Sequence, residues 1–308
     1  MPTRRGTLST SRTSTVSPFI FSRLSVASEH HPTRNEDALL VDPRRGLAAV
    51  LDGVGGSAAG DVASRLGAQT IKQTWKNIHP LQQLADSSTF DPLSTVRQLI
   101  LEAQQQICED GSRRVTQADP RNEDYPGATV VLAILHRTPE HPDGYMMSYA
   151  HVGDSRIYLL RGRETLQRLT TDDGYFTLQV EHQMLSEDDA QRIDQAMHAE
   201  ELTPMERAHF ERRNGITQSL SYVVKSEYLD IHVGQVLLAP GDRVLLCSDG
   251  IHDNLTDNEI AETLRRASRT NVAHRLVERA VLRSHEPKKS CIRAKADDMT
   301  AIVITVKS

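Results

Sequence analysis

Hydrophobic positions along the chain follow two periods, and the switches between them predict its elements. Short continuous apolar runs bounded by Gly, Asp and Pro read as strands buried on both faces. They occur at residues 19–26, 38–41, 47–51, 128–135, 145–152, 157–160, 233–238, 243–247 and 301–306. Helical spacing puts Ala59, Val62, Ala63 and Leu66 on one face, and then Leu93, Val96, Ile100, Ala103 and Ile107. Two late helices follow the same rule. One is capped at Thr256 or Asp257 with Ile260 and Leu264 inward; the other turns in Ala273, Leu276, Val277 and Ala280. Residues 170–215 are polar, with helix-like stretches around 188–198 and 203–213, and read as an insertion lying over a sheet. Residues 1–18 are crowded with Ser, Thr and Arg and hold no acid. Such a segment buries too little apolar surface to order itself, and reads as a flexible tail. A transit peptide has the same composition, but no amphipathic helix accompanies it here.

Several strand ends carry carboxylates. The run Leu47 to Leu51 meets Asp52, followed by Gly53, Gly55 and Gly56. A strand fixes a carboxylate rigidly, and glycines let backbone carbonyls approach the same centre. Taken alone, an Asp-Gly turn is the simpler reading. The arrangement repeats, however: Asp249-Gly250 closes the strand at 243–247, and Asp297-Asp298 opens the last one. Gly153-Asp154-Ser155 between two apolar runs reads as a hairpin with Asp154 at its tip, and Glu36 and Asp37 precede the strand at 38–41. Carboxylates and carbonyls without His or Cys partners form a hard-oxygen set, which selects Mg²⁺ or Mn²⁺ over Zn²⁺. Clustered carboxylates repel one another and hold their protons. Two bound cations would neutralise them and supply an activated water for attack on phosphorus.

Composition acts by exclusion. The chain has 308 residues, 38% hydrophobic and 25% charged, enough for a substantial core. Its net charge of −5 does not suit a nucleic-acid binder. No apolar run approaches the length of a membrane span. Three distant cysteines, Cys108, Cys247 and Cys291, form no CxxC pair and fit a reducing compartment, here the cytoplasm.

The segments NEDALL (35–40), LDGVGG (51–56), GATVVLAIL (127–135), AHVGDSRIYLLR (150–161), ITQSL (216–220), LLCSDGIHDNLTD (245–257) and DDMTAIVI (297–304) resemble, in order and spacing, the protein phosphatase 2C family of metal-dependent serine/threonine phosphatases. Val54 stands where animal members carry a catalytic histidine, so the bacterial type is the nearer match. The resemblance implies an α+β fold, a four-layer αββα sandwich with two central antiparallel sheets, spanning 19–308. It makes residues 172–213 a flap beside the catalytic channel. It also implies two Mn²⁺ or Mg²⁺ ions and a third, more weakly held. Asp52 would bridge the two ions, Gly53 would offer its carbonyl to one, and Asp249 with Asp297 would hold the other. Glu36 and Asp37 would hold metal-bound waters, and Asp154 with Asp249 would hold the third ion. The substrates would be phosphorylated proteins, the targets of a Ser/Thr kinase, and the enzyme a monomer with no nucleic-acid or membrane partner.

There are departures from the pattern. The family's phosphate-gripping arginine, four residues before the Glu of NED, is replaced by Pro32. Arg34, His30 and His31 are the candidates to stand in for it. Asp172-Asp173 lies where an Asp-His pair is common, and Asp298 where the family has Asn. The missing arginine keeps open a pseudophosphatase that binds phosphoproteins without turnover. Hydrolysis of small phosphomonoesters would use the same channel chemistry.

Overall fold

The computed structural model describes residues 17–54, 60–76, 78, 90–115, 127–138, 141–162 and 164–307. The tail reading (up to residue 16), Gly55, Gly56 and Ala59 lie outside them.

Among the described residues there are eleven strands in two antiparallel sheets, and the nine apolar runs account for nine of them. The first sheet has the order β1 (Phe19–Val26), β11 (Met299–Val306), β10 (Arg243–Cys247), β6 (Arg156–Leu160), β7 (Gln167–Arg168). The second runs β2 (Ala38–Asp42), β3 (Leu47–Val54), β4 (Gly127–Thr138), β5 (His141–Val152), β9 (His232–Leu238), with β8 (Leu220–Ser221) paired to β4.

Side-chain alternation explains why these runs are apolar throughout. In β3, Ala48 and Val50 face the other sheet, whose Leu246, Ile302 and Ile304 share their apolar cluster. Leu47, Ala49 and Leu51 face outward, beneath α1 (Gly60–Trp75) and α2 (Pro92–Val115), whose Ala63, Ile71, Trp75, Val96, Leu99 and Ile107 cover them. The first sheet is covered in the same way by α6 (Asp249–His252), α7 (Asp257–Arg266) and α8 (Val272–Ser284). Three apolar layers between four structural layers make the αββα sandwich that the resemblance implied. Thr256, rather than Asp257, caps α7: its side chain accepts from Glu259 N, while Glu259 Oε2 accepts from Thr256 N at 3.0 Å.

Two local expectations are corrected. β3 does not end at Leu51; it continues through Asp52, opposite Thr129, and Gly53, opposite Ala128, to Val54. Gly153 to Ser155 is not a hairpin. β5 pairs with β4 and β9, and β6 pairs with β10 and β7, so the three residues cross from one sheet to the other. Gly153 takes φ +95°, and a Cβ there would lie 2.6 Å from Thr129 Cβ, so the crossing needs glycine.

The polar segment holds α3 (Tyr175–Glu181), α4 (Glu187–Asp194) and α5 (Pro204–Phe210). Its small core joins Ile193, Ala196, Leu202 and Phe210 to Ile292. Among the described residues no helix is long and apolar enough to cross a membrane.

Leu246 is fully buried between the sheets, whereas Leu237 on β9 is 41% exposed. Leu246→Ala is expected to cost about 2–5 kcal/mol in urea unfolding, and Leu237→Ala to stay within about 0.5 kcal/mol.

Candidate metal centre

Register places the carboxylates. Ala38 pairs with Leu51 and Val130 with Val152, so the start of β2 and the ends of β3 and β5 share one edge of the second sheet. Cys247 pairs with both Ala301 and Arg156, so the end of β10 and the starts of β11 and β6 share one edge of the first. Asp37, Asp52, Asp154, Asp249 and Asp297 all emerge there.

Each is held differently. Asp52 is fixed by the β3–β4 ladder. Asp249 opens α6, where Gly250 passes so close to the closing motif that a Cβ would lie 2.0 Å from the Asp298 carbonyl oxygen. Gly53 is confined likewise: its N–H donates to Glu36 O at 3.1 Å, and a Cβ would sit 2.6 Å from the Gly60 carbonyl. Ser248 Oγ donates to Asp37 Oδ2 at 2.7 Å and accepts from Thr300 N at 3.0 Å, tying the two sheets together.

The structure separates the adjacent acids of the last motif. Asp297 Oδ2 lies 2.9 Å from Lys295 Nζ, within the cluster. Asp298 turns away and accepts from Ser28 N and Glu36 N, both at 2.6 Å, bracing the loop that carries Glu36 and Asp37. Arg34 reaches Glu36 Oε1 at 3.0 Å with its side chain about one-third exposed. His31 Nδ1 is 2.8 Å from Arg34 O, and His30 and Pro32 are exposed. Asp173, at the position where a histidine is common, meets one from another strand: His232 Nε2 lies 2.9 Å from its Oδ1. Its Oδ2 accepts from Gly153 N at 2.8 Å, which anchors the crossing beside Asp154.

Three residues of the site escaped the sequence reading. Lys295 Nζ contacts Asp249 at 2.5 Å, Asp253 at 2.7 Å and Asp297. Asp253 also meets Arg213 and Asn214. Its signal was its place one helical turn after Asp249. Asn254, fully buried, clamps the Lys295 backbone by accepting from its N–H at 3.0 Å and donating to its carbonyl at 2.9 Å. A cavity of about 520 Å³ opens nearby, lined by Arg156, Arg168, Asp172, Phe176 and Gln195, but Asp52, Asp249 and Asp297 do not line it.

Electrostatics supports a cation-seeking cluster. Burial, then Asp249 and Asp37, hold the Asp52 carboxyl well above the usual range. Burial, then Asp249 and Asp172, do the same to Asp154. Burial pushes Asp37 up to about 8, with Ser248 opposing and Asp298 and Asp249 adding. Asp249 is raised by burial despite Lys295. Asp37 Oδ1 is buried without a hydrogen-bond partner among the described residues. Buried oxygen donors that repel one another, one of them orphaned, fit hard divalent cations. Around this cluster, neighbouring acids are neutralised internally. Burial would raise Asp194, but Arg156 and Arg293 bring it down to about 2.

The fold and this edge together gather oxygen donors of the kind that bind hard divalent cations. The family model for protein phosphatase 2C matches residues 27–282, and the chain belongs to that family. Serine/threonine protein phosphatase PstP of Mycobacterium tuberculosis (strain ATCC 25618 / H37Rv) is 31% identical over 248 residues, 80% of this chain and 39% of that protein. The chain thus spans about two fifths of the length of this relative. Protein phosphatase PhpP of Streptococcus pneumoniae is 27% identical over 218 residues, 71% of this chain and 72% of that one. The solved catalytic domain of PstP in complex with two manganese ions superposes with a TM-score of 0.64 at 24% identity, covering 94% of this chain and 99% of that chain.

A pH prediction follows from the raised carboxyls. The folded, metal-free chain holds protons that the unfolded chain has already released. The stability they contribute is fully present below the ordinary carboxylate range and is lost as pH rises through the folded values, up to about 8 for Asp37. His151 and His252 are lowered to about 4, mainly by burial. They act oppositely, but only below about pH 6.5. In EDTA the melting temperature should therefore fall between about pH 6.5 and about pH 8.5. Saturating Mn²⁺ should abolish the fall; a flat EDTA profile would contradict the assignment.

Proposed function

We propose that the protein hydrolyses phosphoserine and phosphothreonine in proteins at a binuclear Mn²⁺ or Mg²⁺ centre on this edge, reversing the action of a Ser/Thr kinase. One observation carries the reading: Asp52, Asp249 and Asp297, from three strand ends, converge on one edge, where burial and neighbouring carboxylates disfavour the charged forms of Asp52 and Asp249 without cations. The names of the relatives support the substrate class.

In this reading Asp52 and the Gly53 carbonyl would help hold one cation, and Asp52, Asp249 and Asp297 would hold a second. Bound there, the cations neutralise the carboxylates and make a water nucleophilic at neutral pH. Glu36 and Asp37 accept hydrogen bonds from waters around the centre, the role for which Asp37 Oδ1 is free. Arg34 binds the substrate phosphate. Of the three candidates to replace the arginine missing at Pro32, its side chain meets Glu36 and keeps an open flank. This removes the main argument for the pseudophosphatase. Residues 172–213 form the flap of a catalytic domain spanning 19–308, which acts as a cytoplasmic monomer.

Hydrolysis of p-nitrophenyl phosphate should require Mn²⁺ or Mg²⁺ and stop in EDTA, and a phosphoserine peptide should be turned over by the same centre. Asp52→Asn should lower kcat by about a thousandfold or more while raising the melting temperature in EDTA, because it removes a carboxyl whose charged form the folded site disfavours. Retained turnover in that variant would overturn the role of Asp52. Arg34→Ala should raise KM for the phosphopeptide about tenfold to a hundredfold, the loss of one charge-assisted hydrogen-bond partner. An unchanged KM would remove Arg34 from the phosphate site.

A further inference from the structure

Lys295 stands on two of the carboxylates that would hold the second cation. Its Nζ lies 2.5 Å from Asp249 Oδ2 and 2.9 Å from Asp297 Oδ2. Among the described residues, no other cation forms an ion pair with either. An ammonium and a divalent ion on the same carboxylate pair repel each other and draw on the same lone pairs, so each weakens the other's hold. The third contact of the ammonium is of a different kind. Asp253 Oδ2, 2.7 Å away, belongs to a residue that holds no cation in the proposed centre. Asp253 is already tied to the end of the polar segment: its Oδ1 lies 3.7 Å from Arg213 Nε, and its Oδ2 accepts from Asn214 Nδ2.

The fold fixes the lysine backbone and leaves its ammonium a second place to rest. Asn254 accepts from Lys295 N–H at 3.0 Å, and donates to the Lys295 carbonyl and to Gly250 O, both at 2.9 Å. Two residues before Lys295, the fully buried Arg293 ties the same loop to the carbonyls of His252, Leu255 and Asp194. Beyond this clamped backbone runs a flexible four-carbon stem, and the side chain is 24% exposed. Asp253 follows Asp249 by one helical turn, its N–H donating to Asp249 O at 2.8 Å. The ammonium can therefore leave Asp249 and Asp297 and keep Asp253 as its partner.

We propose that Lys295 is a built-in competitor for the second cation: it holds Asp249 and Asp297 until a divalent ion displaces its ammonium onto Asp253. The lysine compensates both carboxylates while the second ion is absent. It thereby sets how much free Mn²⁺ or Mg²⁺ is needed before the centre is complete. The inference rests on the two-metal reading proposed above.

Calorimetric titration of the metal-free full chain with MnCl₂ tests it. Lys295→Met should tighten the second binding step about tenfold or more, the scale of a charge-assisted hydrogen bond that no longer has to be broken, and the first step much less. Lys295→Arg keeps the positive charge and should leave the second step no tighter than in wild type. If Lys295→Met does not fold without metal, the Mn²⁺-loaded variant is titrated with EDTA, and release is followed by the electron paramagnetic resonance of free Mn²⁺. The more weakly held ion should then leave at a higher EDTA concentration than in wild type. An unchanged or weakened second step in Lys295→Met would make the lysine a structural support of the two carboxylates and overturn the proposal. Equal tightening of both steps would mark a general effect of charge and overturn it as well. Wild type that binds no Mn²⁺ would instead overturn the metal-centre reading on which it stands.

Discussion

Like-charge repulsion between buried carboxylates is the constraint that the rest of the structure serves. Asp37, Asp52, Asp154 and Asp249 are each driven toward the protonated form, first by burial and then by neighbouring acids, Asp297 and Asp253 in the case of Asp249. A compliant scaffold would relax by moving them apart. This one cannot, because each carboxylate sits at the end of a strand paired within a sheet. Asp52 is held in the β3–β4 ladder, and Asp249 follows β10, whose Val244 and Leu246 are locked in the layer between the sheets. The close packing of that layer turns electrostatic strain into affinity for cations rather than into movement.

The same edge is where the end of β1 meets the start of β11, Val26 opposite Met299. β1 and β11, the first and last strands, pair along their full length. That pairing brings Ser28 and Glu36 onto Asp298, and Asp37 onto Ser248 beside Thr300. These contacts span more than two hundred residues of sequence. Loop closure over such distances must precede the contacts that reward it. The centre is therefore complete only when both sheets are complete, and no partly folded form presents the full carboxylate set.

The sequence disclosed the strands because burial on both faces leaves an unbroken apolar run, a signal that needs no partner to be recognised. It did not disclose which sheet each run joins. Apolar run, Gly-Asp-Ser, apolar run looks the same whether the chain folds back on itself or crosses between layers, and only the pairing partners of β5 and β6 distinguish them. The helix Tyr175–Glu181 left no periodic trace because it buries none of its residues. Asp297 and Asp298 were chemically equivalent as letters. Their opposite directions come from the extended entry into β11, where successive side chains point to opposite sides. Lys295 was legible only as a surface-type residue near the motif. Its role depends on Asn254, forty-one positions away in sequence.

Positive charge at the edge is divided between two residues by how many carboxylates each one meets. Lys295 meets three and is clamped through its backbone; it could not turn to a substrate without uncovering all three at once. Arg34 meets Glu36 alone and keeps about a third of its side chain in solvent. It stands at the end of two successive turns, His31 N to Ser28 O and Arg34 N to His31 O, which fold the loop back toward Glu36. Those turns bring Arg34, two positions later in sequence than the usual arginine, onto Glu36. A planar guanidinium with one carboxylate partner and an open flank can exchange that partner for a phosphate dianion in bidentate geometry. Under the proposed function, compensation of the cluster and recognition of the substrate would thus fall to different residues, and charge could be altered at one without dismantling the other.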